Sequence, residues 1–99
     1  MSRPDPGVRE AAEILAIQAL GFLAEDPSRL ARFLAMSGVG PQRIRAAASD
    51  PAFLAGVLDH VASDESLLIA FAEHAGITPA AVKQAHAALA GPPWEREVP

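Results

Sequence analysis

Three histidines are the side chains best suited to hold a metal or to move a proton near neutral pH. They are His60, His74 and His86. No pair stands at the i,i+4 or short-loop spacing that brings two imidazoles onto one ion. There is no cysteine, which excludes thiolate ligands and a disulfide framework. The serines, Ser2, Ser28, Ser37, Ser49, Ser63 and Ser66, fall in leads, caps or turns. No Gly-x-Ser-x-Gly elbow and no phosphate loop surrounds one of them. Paired carboxylates such as Asp64 and Glu65 suit the positive start of a helix rather than acid–base work. His86 is expected at the edge of a core, bonded to a carbonyl, and His60 near a helix end. The expectation is therefore no catalytic residue, no cofactor, no metal and no enzyme.

The remaining candidate chemistry is phosphate binding. In "SGVGPQRIRAAA", Gly38 and Gly40 bracket one apolar residue, and Pro41, Arg43 and Arg45 follow. This stretch resembles the helix-hairpin-helix element of nucleic-acid-binding proteins. There a Gly-hydrophobic-Gly turn lets a helix start offer its N–H groups to a phosphate. The chain departs from that element at Ile44, where a small residue is usual, and at Ala47, where a large aliphatic is usual. A tight corner between two helices is the preferred reading, with Gly38, Gly40, Arg43 and Arg45 as the alternative nucleic-acid site. "FAEHAGITPAAVKQA", Phe71 to Ala85, resembles a helix-turn-helix. Its apolar mask describes packing, and of the outward positions only Lys83 and Gln84 could read a base. We expect Thr78, Pro79, Ala80, Lys83, Gln84 and Ala87 to face out of an αα corner.

Charge weighs against a polyanion. The net charge is −4. Asp26 and Asp50 bracket an acid-free segment that holds Arg29, Arg32, Arg43 and Arg45, four of the eight bases. The rest carries twelve acids against four bases, a field that opposes DNA or RNA.

The elements that must position these residues are helices. No run alternates apolar and polar residues over a strand's length, and alanine dominates the apolar content. "DPSRLARFLAM" and "DPAFLAGVLDHVA" each open with Asp as N-cap and Pro at the first helical position. Asp26, Pro27, Leu30, Ala31 and Leu34 match Asp50, Pro51, Leu54, Ala55 and Leu58 position for position. Gly38, Gly76 and Gly91 stop helices, Asp64 or Ser63 starts one, and Thr78-Pro79 starts another. The expected fold is an all-α, compact single-domain bundle of five or six short helices. A disordered lead covers 1–6, the bundle 7–91 and a Pro-rich tail 92–99. The first helix, from about Gly7 to Ala24, carries Ala12, Leu15, Ala16, Ala19, Phe22 and Leu23 on one face. Ile14 and Ile17 lie on the opposite side, beside Gly21. A helix apolar nearly all round is central, or offers a second face to a partner; helix 1 is expected to be central, with Ile14 and Ile17 as the residual partner stripe. Trp94, behind Pro92 and Pro93, is either a lid on the bundle or an anchor for another protein.

As an ordered set, "ALGFLAEDPSRLARFLA" followed by "SGVGPQRIRAAASDPAFLAGVLD" is similar to a bacterial family of short helical proteins known only as a domain of unknown function, number thirty-five seventy-two. The similarity spans roughly 11–90. It implies a small all-α bacterial cytosolic protein and brings no site residues. The lead is not a signal peptide, and charge interrupts every apolar run before membrane-spanning length, so no membrane and a cytoplasmic location are expected. The leading expectation is a protein–protein interaction or regulatory module that binds another protein or itself, with Ile14, Ile17 and Trp94 as contact residues.

Overall fold

The Asp-Pro pairs act as the sequence requires. Asp26 and Asp50 hold extended backbone, and each Oδ1 accepts the N–H two residues on, Ser28 or Ala52, at 2.9 Å. Proline follows at the first helical position of both. A third aspartate, Asp64, caps its helix by accepting from the Leu67 N–H at 3.2 Å. Thr78 Oγ1 does the same for the Ala81 N–H at 3.1 Å. Two glycines close helices with left-handed backbone, Gly38 at φ 77° and Gly76 at φ 73°, a region that costs a residue with a Cβ roughly 1–2 kcal/mol.

The computed structural model describes residues 6–90. They form α1 (Pro6–Ala24), α2 (Pro27–Ser37), α3 (Ile44–Ala47, entered through a 3-10 turn Pro41–Arg43), α4 (Pro51–Ala62), α5 (Glu65–Ala75) and α6 (Pro79–Ala90). No strand occurs among the described residues. The chain is thus an all-α single domain, and α1 begins at Pro6, one residue ahead of the expected start. Trp94 and the Pro-rich tail lie outside the described residues, as does most of the lead.

One core joins the helices. α1 contributes Ala12, Ala16, Ala19 and Leu23, and α4 contributes Leu54, Val57, Leu58 and Val61. Phe71 from α5 and Val82 from α6 are fully enclosed with them. Ala16 and Ala19 have no exposed surface, so at that point the neighbouring helices come close to the α1 backbone. α1 packs against α2, α4, α5 and α6, the central position expected of it, and α4 shares that position by touching the same set. Centrality does not cover α1 all round: its outer side stays in solvent.

Candidate interaction surface

That outer side is built by helical spacing. Leu23 is nine residues from Ile14, about 180° away at 100° per residue. Leu23 is fully buried, so Ile14 points directly outward. Ile14 is 55% exposed and Ile17 is 50% exposed. Gly21 lies about 20° from Ile14 on the same wheel; it is exposed, and a Cβ built on it meets no atom within 4 Å. The helix surface there drops to bare backbone, which would let a second helix approach closely. Ile14 also borders an apolar groove of about 390 Å³ between α1 and α6, floored by Ala11, Leu15, Ile77, Ala81 and Ala85. A cleft of about 360 Å³ follows along the same helix, reaching Gly21, Glu25 and His74, and shares Gln18 with the first. Together they make a trough beside α1.

The glycine corner forms, with a consequence for phosphate binding. Gly38 caps α2 through its N–H to Leu34 O at 2.9 Å, and the Val39 N–H donates to Ser37 Oγ at 3.3 Å. The Arg43 N–H donates back to Gly40 O at 2.9 Å. The corner thus uses several of its own donors, and α3 behind it is a single turn of four residues. Arg43 and Arg45 are exposed, and neither makes an ion pair among the described residues. At the second corner, Thr78, Pro79, Ala80, Lys83, Gln84 and Ala87 are all exposed, while Phe71, Ala72 and Val82 are buried, the distribution expected of an αα corner.

The histidines go to three separate places. The His74 ring lies 5.0 Å from that of Phe22, which also packs on Phe71 and carries the Arg29 guanidinium 4.9 Å over its face. His86 Nε2 stands 3.5 Å from Asp59 Oδ1, a carboxylate rather than the carbonyl expected for it. His60 sits edge-on to Phe33, with centroids 5.2 Å apart. Burial pushes the His60 imidazole below its usual pKa, reinforced by Arg32 and opposed by Asp64 and Asp59. Among the described residues, no three His, Asp or Glu side chains meet at a metal-binding distance.

One feature escaped the sequence reading. A cleft of about 490 Å³ lies between α2 and α4, floored by Phe33, Phe53, Met36 and Val39 and rimmed by Asp50 and Asp59. Its size falls in the range of small-molecule sites. Four of its polar members are engaged in local structure. Asp50 caps α4, Asp59 faces His86, Ser37 Oγ donates to Leu34 O, and Ser63 Oγ donates to Asp59 O. His60 lines the cleft as well, its ring edge-on to Phe33. The signal that could have located it is the pair Phe33 and Phe53, each on a capped helix, whose rings meet at 5.7 Å.

No helix among the described residues is long and apolar enough to cross a membrane. The family model that matches the chain, over residues 9–92, is described as a protein of unknown function, DUF3572. No curated protein and no solved structure matches it.

Proposed function

The chain belongs to the DUF3572 family, and we propose that it is a non-enzymatic interaction module whose contact element is the outer face of α1. One observation carries this reading: Ile14 and Ile17 stand half exposed on the side opposite the core, next to an apolar groove. Two half-exposed isoleucines on one stripe leave on the order of 100 Å² of apolar surface wet, worth about 2–3 kcal/mol if a partner covers it. The test is the double variant Ile14→Asp/Ile17→Asp. It keeps the wild-type helical signal and melting behaviour, since neither residue supports the core. It loses the protein partner, or the self-association, that the wild type shows in nuclease-treated extract of its own host. A variant that keeps every wild-type association sinks the proposal.

A second reading draws on Arg43 and Arg45, both exposed and without an acid partner among the described residues. In it the Gly38–Gly40 corner meets a nucleic-acid backbone. It predicts salt-sensitive binding of DNA or RNA that Arg43→Glu/Arg45→Glu removes. A mobility-shift assay at low ionic strength that shows no complex ends it.

A further inference from the structure

The α1 stripe also carries information about the charge of what it binds. Within about 60° of Ile14 on the wheel lie Gly7, Glu10, Ala11, Ile17, Gln18, Gly21 and Glu25. The Glu25 N–H still donates to Gly21 O at 3.2 Å, so Glu25 continues the last turn of the helix. The two charged members on the helix itself are therefore both acids, one at each end; Arg29 of α2, over Phe22 beside the Glu25 end, is already paired with Asp26 at 3.7 Å. Neither Glu10 nor Glu25 makes an ion pair among the described residues. Glu13 flanks them, and Arg9, the one base on α1, lies about 140° round from Ile14. The surface is an apolar centre with a carboxylate about 22 Å from a second carboxylate, fifteen residues apart at 1.5 Å per residue.

This arrangement discriminates among occupants. A second copy pairing α1 with α1 in parallel brings Glu10 to Glu10 and Glu25 to Glu25. The antiparallel pair centred between Ile17 and Gln18 brings Glu10 to Glu25 twice. Either orientation opposes like charges at both ends of the contact. The tail of this chain, with Glu95 and Glu97 around Arg96, has the same fault, and a nucleic acid has it more strongly. We infer that the occupant is a cationic amphipathic helix of another protein. It lays an apolar i, i+3, i+4 face over Ile14, Ile17 and Gly21 and places a Lys or Arg near each of Glu10 and Glu25. The inference rests on the α1 reading above and adds the partner's chemistry to it.

The probe is a synthetic eighteen-residue helix-forming peptide with leucines on one face and two lysines fifteen positions apart. Its isomer carries glutamate at those two positions. Binding of each dye-labelled peptide to the full chain is followed by fluorescence anisotropy. The lysine peptide binds about tenfold tighter than the glutamate peptide at low ionic strength, the sum of a few modest charge contacts changing sign. Added salt narrows the gap. Glu10→Lys/Glu25→Lys reverses the order, and Ile14→Asp/Ile17→Asp removes both complexes. Equal affinity for the two peptides, lost in the isoleucine variant, overturns the charge assignment while leaving the α1 face standing. Binding that survives the isoleucine variant overturns both. Binding of neither peptide, with a dimer in sedimentation that Ile14→Asp/Ile17→Asp dissociates, assigns the face to a second copy instead.

Discussion

At the scale of single residues, the same substitution should have opposite signs at different glycines. Gly21 and Gly56 lie inside α1 and α4, and a Cβ at either meets nothing within 4 Å. Gly21→Ala and Gly56→Ala should each stabilise the fold by about 0.5–1 kcal/mol through helix propensity alone. Gly38→Ala and Gly76→Ala should each destabilise it by about 1–2 kcal/mol, because both glycines hold left-handed backbone. Urea midpoints for the four variants check this in one series. His60 makes a second prediction. Its folded pKa lies below the ordinary imidazole value of about 6.5, chiefly through burial. The unfolded chain therefore binds the proton more readily in the window just below 6.5, and stability should fall as the pH drops through it. His60→Leu should flatten that part of the curve, measured as the denaturation midpoint between about pH 7.5 and 5.5. An unchanged slope in the variant would move the effect to another group.

At the scale of elements, the helix boundaries were legible because their signals are local. An aspartate with a proline behind it needs no tertiary partner to start a helix, and a glycine in left-handed backbone needs none to stop one. Which face turns inward was legible for α1, where alanines repeat along one side. The matched α2 and α4 pattern shows where this ends. Leu54 and Leu58 are buried, whereas Leu30 and Leu34, at the equivalent positions, are only half-buried. The spacing is identical, and the difference comes from how many neighbours each helix has. The α2–α4 cleft was missed for the same reason: Phe33 and Phe53 are visible in the sequence, but that they meet beside a gap between two loosely packed helices is set by the packing. The α1 contact makes a prediction at this scale. Ala16 and Ala19 are fully buried at a close helix approach, so Ala16→Leu should overpack it and cost about 1–3 kcal/mol. Ile14→Asp on the opposite side should stay within about 0.5 kcal/mol of wild type. Thermal unfolding of the two variants separates the face that holds the fold from the face that does not.

At the scale of the whole molecule, one aliphatic and aromatic core ties α1, α4, α5 and α6 together, and Phe71 is the largest side chain wholly inside it. Phe71→Ala should cost about 3–5 kcal/mol, a large share of a domain this size. Everything outside that core is a surface with more acid than base, interrupted by the arginines of α2 and of the corner before α4. The candidate site was half legible. Ile14 and Ile17 could be found from helical period, but their exposure depends on α2, α4, α5 and α6 all crowding the other side, which no local pattern encodes.

The outward side of α1 is the proposed meeting place of the molecule and its partner. The chain has no cysteine, so Ile17→Cys and Arg45→Cys each create one attachment point for a photoactivatable crosslinker. Irradiation in nuclease-treated host extract should give a discrete protein adduct from position 17 and none from position 45. An adduct from position 45 alone, or none from position 17, would contradict the account.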